Sequence, residues 1–182
     1  MYIRLQDLEI RKLEFREEYA PGAIDLGGDA TQIAPLQTQG RAEVVHEHHG
    51  GKEIVSDIRL VGDLSTRLEV ECARCLDPVQ HNIASEFDLL YRPLGADRRA
   101  DEVSISEAET EIGYYDGDGL LLEDVLREQV LLALPLKSVC SEECKGMCPH
   151  CGRKQTEGAC NCQHEMKDPR WDALNEIKKR LQ

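Results

Sequence analysis

Apolar and polar residues alternate with a period of two through much of the N-terminal half, which predicts a body built from β-strands. Leu64, Thr66, Leu68, Val70 and Cys72 fill five alternate positions, with Arg67, Glu69 and Glu71 between them, and mark the clearest strand. Ile83, Ser85, Phe87, Leu89 and Tyr91 mark a second, so the intervening C-A-R-C-L-D-P is expected at the tip of a long hairpin. Upstream, alternation runs from Ile33 through R-A-E-V-V-H-E-H to Gly50-Gly51, a hairpin-turn signal leading into K-E-I-V-S-D-I-R-L. Residues 1–20 read as extended pieces, Ile3 with Leu5, Leu8 with Ile10 and Leu13 with Phe15, with a slip of phase between pairs. Pro21, Gly22, Gly27 and Gly28 then interrupt the pattern. The strands are expected to be antiparallel, as a sheet or a partly open barrel.

The period becomes helical at L-L-L-E-D-V-L-R-E-Q-V-L-L-A-L-P, predicting a helix over about 119–134. Asp118 is its expected N-cap, Glu123 and Asp124 suit its positive end, Glu123 and Arg127 are an i,i+4 pair, and Pro135 stops it. Leu122, Val125, Leu126, Val130 and Ala133 share a face that Leu121, Leu131, Leu132 and Leu134 widen, so the helix is expected to be buried against the sheet. The segment D-P-R-W-D-A-L-N-E-I-K-K-R-L-Q predicts a docking helix over about 169–181, capped by Asp168, with an apolar stripe of Trp171, Leu174, Ile177 and Leu181. Lys178, Lys179 and Arg180 complement the negative end of its dipole. The fold class is α+β, with a β-rich body over 1–136 and a cysteine-rich module plus C-terminal helix over 137–182.

Charge divides along the same line. The chain of 182 residues carries a net −13, made of −15 over residues 1–136 and +2 over 137–182. From Arg99 to Arg127 no Lys or Arg intervenes among nine carboxylates (Asp101, Glu102, Glu107, Glu109, Glu111, Asp116, Asp118, Glu123 and Asp124), so most of this stretch is expected as an exposed connector or a docking surface for a basic partner. Such acidity argues against the whole surface serving as a nucleic-acid platform, since phosphate affinity comes from Lys and Arg displacing counterions. Any phosphate contact is expected to be local, from Lys145, Arg153, Lys154, Lys167, Arg170 and the cluster Lys178, Lys179 and Arg180. The opening M-Y-I-R-L-Q-D-L lacks the basic and apolar blocks of a secretory signal, and no apolar run reaches membrane-spanning length. A cytoplasmic protein without a membrane partner is the expectation.

In a reducing compartment, clustered cysteines point to metal before disulfides. Six of the eight cysteines fall between Cys140 and Cys162, and the other two, Cys72 and Cys75, sit at the hairpin tip. Cys148-Pro149-His150-Cys151-Gly152 has the form of a zinc knuckle, because proline presets the turn and glycine lets backbone N–H groups point at the thiolates. Its natural partners are Cys160 and Cys162, closing a short loop. Cys140 and Cys144 then either join Cys72 and Cys75 as a second four-cysteine site, which would clip the C-terminal module to the sheet, or join Cys148 and Cys151 and leave the hairpin pair apart. Two structural Zn²⁺ ions are expected. Each zinc with four thiolates would carry about −2, removing much of the module's positive charge. Iron–sulfur ligation and a redox C-x2-C are rival uses of the same thiols, but the redox pair belongs at a helix start after a strand. His150 and His164 are expected at the surface. There is no phosphate loop, nucleophile elbow or H-E-x-x-H, and a closed four-thiolate zinc has no open position, so neither an enzyme nor a small-molecule substrate is expected.

Three landmarks in order carry a family likeness: C-A-R-C-L-D-P-V after a strand, the helix E-D-V-L-R-E-Q-V-L-L-A-L-P-L, and C-S-E-E-C-K-G-M-C-P-H-C-G followed by D-P-R-W-D-A-L. From about Leu60 to its end the chain resembles the bacterial YceD-type family, the large-ribosomal-RNA-subunit accumulation proteins. Cys72 and Cys75 match that family's C-x-R-C motif, and Cys140 and Cys144 its post-helix pair. The resemblance implies a non-enzymatic role in 23S ribosomal RNA accumulation and large-subunit biogenesis in the bacterial cytoplasm. Its partner would be ribosomal RNA or a basic ribosomal or assembly protein. Direct RNA binding through the C-terminal module is the first alternative, and thiol redox or metal handling the second.

Overall fold

The computed structural model describes residues 1–28, 30–49, 53–96, 112–155, 158 and 160–162. In chain order its elements are β1 (Tyr2–Arg4), α1 (Leu5–Ile10), β2 (Leu13–Tyr19), β3 (Ala30–Gln32), β4 (Leu36–His49), β5 (Glu53–Glu71), β6 (Pro78–Pro93), β7 (Ile112–Tyr115), β8 (Gly119–Leu121) and α2 (Leu122–Ala133). The chain divides into two units, Met1–Cys140 and Ser141–Gln182, and all of these elements lie in the first. The Gly50-Gly51 turn, the acidic stretch from Asp101 to Glu111 and the C-terminal helix lie outside the described residues.

β5 is the spine. Its 19 residues far exceed the usual five or so. One edge pairs antiparallel with β4, from His49↔Glu53 to Gln37↔Ser65, and beyond that with β3, while the other pairs antiparallel with β6 from Ile58↔Tyr91 to Glu71↔Pro78. β2 flanks β4, and β7 lies parallel to β6, so the sheet is not wholly antiparallel as expected. A parallel neighbour arrives by a longer connection and leaves no local turn signal in the sequence. Ile58, Leu60, Leu64 and Leu68 alternate along β5 with at most 1% of their surface exposed. They share one core with Leu8 of α1 and with Leu122, Val125, Leu126 and Val130 of α2. Of the residues expected to widen the apolar face of α2, Leu134 packs against the core while Leu121, Leu131 and Leu132 are exposed, as is Ala133 of the main face, because the sheet covers little more than one helical stripe.

A single row crosses four neighbouring strands, from the edge strand β2 to β6. Phe15 pairs with Gly40, Gly40 with Gly62 and Gly62 with Phe87, and the two rings lie over the glycines. A Cβ on Gly62 would stand 2.9 Å from Phe87 Cζ and 2.5 Å from the Gln39 carbonyl oxygen, so the close approach requires glycine. Gly62→Val is expected to destabilise the body by about 3 kcal/mol, read as a lower urea midpoint, since the backbone carbonyl cannot swing aside as a side chain could.

Two expectations near the helices fail for one reason. Residues 5–10 form α1 instead of extended chain, and α2 begins at Leu122 instead of about 119. β1 and β8 pair as a separate two-stranded ribbon, and each runs straight into a helix. The Leu5 N–H donates to the Asp118 carbonyl (2.8 Å), and the Leu122 N–H donates to the Met1 carbonyl (2.9 Å). Each strand therefore supplies an acceptor for the first amide of the other's helix, and neither helix has a side-chain cap. The Asp118 carboxylate, predicted as the cap, instead accepts the Tyr2 hydroxyl at 2.8 Å. The phase slip near Leu5 and Leu8 is the helical turn itself, with Leu8 buried and Ile10 83% exposed.

One buried charge cluster lies where β4, β5 and β6 run side by side. Asp57 is fully buried and Arg92 only 2% exposed. The Arg92 guanidinium donates to Asp57 Oδ2 at 3.1 Å and to Glu47 Oε2 at 2.7 Å. Nearby, the Tyr115 hydroxyl donates to the Ser56 carbonyl at 2.9 Å.

Candidate metal centres

The β5–β6 hairpin and the chain after α2 place the cysteines. Leaving β5, the chain turns through Cys72-Ala73-Arg74-Cys75-Leu76-Asp77: the Leu76 N–H donates to the Cys72 carbonyl (2.9 Å) and the Cys72 N–H to the Asp77 carbonyl (2.8 Å). In Cys148-Pro149-His150-Cys151-Gly152-Arg153 the Gly152 N–H donates to the Cys148 carbonyl (2.9 Å) and the Cys148 N–H to the Arg153 carbonyl (2.9 Å). The two turns are the same knuckle. Both put the residue after the second cysteine in the left-handed region, Leu76 at φ 60° and Gly152 at φ 69°. A leucine there accepts strain of about 1 kcal/mol that glycine avoids. That substitution is why the hairpin motif reads in the sequence as a plain C-x2-C.

The segment after α2 runs along the hairpin tip. The Ala73 N–H donates to the Ser138 carbonyl at 2.8 Å, and the Cys140 N–H points at Cys72 Sγ, 3.4 Å away. Cys75 and Cys140 sulfurs stand 3.6 Å apart. Cys144 follows Cys140 by one tight turn, closed by its N–H on the Ser141 carbonyl at 3.1 Å. The thiols gather into two groups of four: Cys72, Cys75, Cys140 and Cys144, and Cys148, Cys151, Cys160 and Cys162, with the sulfurs of each group within 4.8 Å of one another. Cys140 and Cys144 thus fall with the hairpin pair and not with Cys148 and Cys151. Four sulfurs on a tetrahedral zinc, at about 2.3 Å from the ion, stand about 3.8 Å apart, a spacing that falls within the 4.8 Å span of each group. Both groups could hold a metal ion.

The electrostatics favour thiolate in each group. Burial disfavours ionisation of Cys72, yet the N–H groups of Arg74, Cys140 and Cys75, together with the Cys75 thiol, outweigh it and bring the pKa down to about 6. The N–H groups of Cys151 and His150, with the Cys160 thiol, bring Cys148 down to about 6 against its desolvation. One further thiol in each group shifts the opposite way. Cys162 is pushed up to about 12 by its hydrogen bonds to Cys151 and Cys160. At Cys75 the Asp77 N–H acts downward, but desolvation and the thiol's hydrogen bonds to Cys72, to the Asp77 carboxylate and to Cys140 leave its pKa raised. Asp77, whose Oδ2 lies 3.2 Å from Cys75 Sγ, was not singled out from the sequence, although the D of C-L-D-P holds the position that Arg153 holds in the other knuckle.

Of the basic residues considered for RNA contact, Lys145 and Arg153 are exposed and Lys154 is half-buried, bridged to Met147 in a short ladder. Lys178, Lys179 and Arg180, like Lys167, Arg170 and His164, lie outside the described residues. His150 is exposed. Among the described residues no helix is long and apolar enough to cross a membrane.

Comparison with known proteins places these features in a family. The chain is 32% identical over 126 residues to an uncharacterized protein of Mycobacterium tuberculosis, the match covering 69% of this chain and 58% of that protein. It is 24% identical over 146 residues to the large ribosomal RNA subunit accumulation protein YCED homolog 1, chloroplastic, of Arabidopsis thaliana, the match covering 69% of this chain and 46% of the plant protein. The chain thus spans about half the length of the curated relatives it matches. No solved structure matches. The family model described as large ribosomal RNA subunit accumulation protein YceD matches residues 60–178, from the middle of β5 through both cysteine groups, and on that match the chain belongs to the YceD family.

Proposed function

We propose that this chain is a non-enzymatic, cytoplasmic factor in 23S ribosomal RNA accumulation and large-subunit biogenesis. In this reading two zinc ions are structural, one held by Cys72, Cys75, Cys140 and Cys144 and the other by Cys148, Cys151, Cys160 and Cys162. The body over 1–136 is a docking scaffold, and the module over 137–182 ends in a helix over about 169–181. Family membership across residues 60–178 is the observation that carries the reading, and the plant relative is named for accumulation of the large ribosomal RNA subunit. The chemistry agrees with it. A site with four thiolates has no open position at which to activate water, so the metal holds chain together and takes no substrate. The net −15 of residues 1–136 favours a basic ribosomal or assembly protein as partner over bare RNA. The test is affinity purification at low salt followed by analysis of bound RNA and protein. Large-subunit precursors or basic ribosomal proteins are expected to co-purify, and their absence overturns the reading.

A second reading, direct RNA contact through Lys145, Arg153, Lys154, Lys178, Lys179 and Arg180, draws on the net +2 of residues 137–182. Charge reversal at Lys178, Lys179 and Arg180 would then lower RNA affinity and flatten its salt dependence.

A further inference from the structure

This chain is poor in aromatics, with five tyrosines, two phenylalanines and one tryptophan. Four of the five tyrosines nevertheless line one cavity of about 380 Å³ in the first unit, between β6, β7, the β1–β8 ribbon and the start of α2. Tyr115 belongs to the packing, with its hydroxyl bonded to the Ser56 carbonyl. Tyr2 and Tyr114 instead remain 45% and 54% exposed, a large outlay of aromatic surface to water in a protein that has so little. The remaining wall joins acidic residues to the apolar Leu120, Leu121 and Val125. Asp116, Asp124 and Glu128 line the cavity, Asp118 accepts the Tyr2 hydroxyl, and among the described residues no Lys or Arg lines it. Arg4 acts on Tyr2 from the end of β1 but lines no part of the cavity. Burial, reinforced by the Glu128 charge, pushes Tyr91 up to about 12, so its ring faces the cavity as a neutral phenol.

Aromatic faces framed by carboxylates have one fitting occupant. A ring presents a negative face, and the carboxylates add full negative charge, so an anion is repelled and an apolar group would leave the acids unpaired. A guanidinium meets both demands, stacking on a ring while donating in-plane hydrogen bonds to a carboxylate. A cavity of this size, at the small end of ligand pockets, suits a side chain better than a whole cofactor.

We propose that the cavity between Tyr2, Tyr91, Tyr114, Asp124 and Glu128 receives an arginine side chain from a basic segment of a protein partner. This rests on the docking reading above and names the place where that docking is specific.

The test uses the full, zinc-loaded chain and a decapeptide of alternating arginine and glycine. Matched lysine–glycine and aspartate–glycine peptides and a single-stranded RNA decamer serve as comparisons. Binding of the arginine peptide is expected to shift the ring signals of Tyr2 and Tyr114. Asp124→Asn with Glu128→Gln, and separately Tyr114→Ala, are each expected to weaken it roughly tenfold, while Tyr114→Phe keeps the ring and the affinity. The control, Asp63→Asn with Glu86→Gln, an exposed facing pair on β5 and β6 that lines no part of the cavity, removes the same charge and is expected to change affinity less than about twofold, because exposed charges at a distance are screened. Equal losses in the cavity and control variants would overturn the cavity while leaving acidic docking intact. Failure of both basic peptides to bind, together with no basic protein in the low-salt purification, would overturn both. Ring shifts caused by the RNA decamer but not by the arginine peptide would replace the guanidinium with a stacked base and overturn the proposal.

Discussion

Dialysis of the zinc-loaded protein against a strong chelator is expected to release two ions per chain and to unfold the cysteine-rich segment of the second unit while leaving the β-rich body folded. The asymmetry follows from where apolar burial lies. Among the described residues, every member of the hydrophobic core belongs to the first unit. Among the described residues of the second unit, only Cys144, Gly146 and Cys148 are buried, and Met147 is 36% exposed. A segment whose described residues build no apolar core is expected to take its stability from the metal, and structural zinc supplies on the order of 10–16 kcal/mol near neutral pH in small peptides. Amide exchange reads the result directly: protection of the Cys148, Gly152 and Gln155 amides, bonded to Arg153, Cys148 and Gly146 carbonyls, should vanish on chelation. Retained protection would sink a structural role for the second ion. Cys148→Ser should lower the zinc content from two to one, and acid should release metal steeply because protons compete for every thiolate.

Arg92→Met is expected to destabilise the body by about 3–5 kcal/mol, because it leaves a buried carboxylate without its cation. Asp57 is wholly inside, and the guanidinium that neutralises it also reaches Glu47. Arg92→Lys should recover only part of the loss, since an ammonium cannot span both acids as a planar fork does. The double variant Asp57→Leu with Arg92→Met should lie close to the wild type, because replacing both partners removes the desolvation cost along with the attraction. A single-variant loss below about 1 kcal/mol in urea unfolding would mean that water reaches the pair.

These two clusters also divide what could be read in the sequence from what could not. The strands around Leu64–Cys72 and Ile83–Tyr91 were legible because one face is buried and the other wet, so burial writes itself as alternation. The knuckle at Cys148 was legible because its constraints are local: proline, two thiols and a glycine within five residues. Asp57 and Arg92 break the rule, since a charge turned inward looks in the sequence like any solvent-facing polar residue. Their partnership spans 35 positions. The start of α2 was misplaced because its first amide is satisfied by Met1, more than a hundred residues away, while Asp118 offers the right chemistry locally and uses it on Tyr2. The second knuckle was seen only as a pair of thiols, for Leu76 takes a backbone conformation that composition assigns to glycine. The gathering of Cys140 and Cys144 with the hairpin was one of two open pairings, because spacing limits which thiols can meet and the long-range fold decides which do.

The sequence separation of the thiols sets a timetable. Cys148 and Cys162 are separated by a short loop, so the downstream group can close as soon as its own segment leaves the ribosome. The hairpin thiols must wait for Cys140, whose amide meets the Cys72 sulfur across 68 positions. Until α2 has been made and has settled, Cys72 and Cys75 are a nascent dithiol at the end of a finished hairpin, exposed to oxidants and to the wrong metal. All four thiols of the hairpin group have been made by Cys144, so that group can be complete before Cys162 finishes the downstream one. A ribosome stalled just after Leu121 would present the hairpin without its remaining ligands.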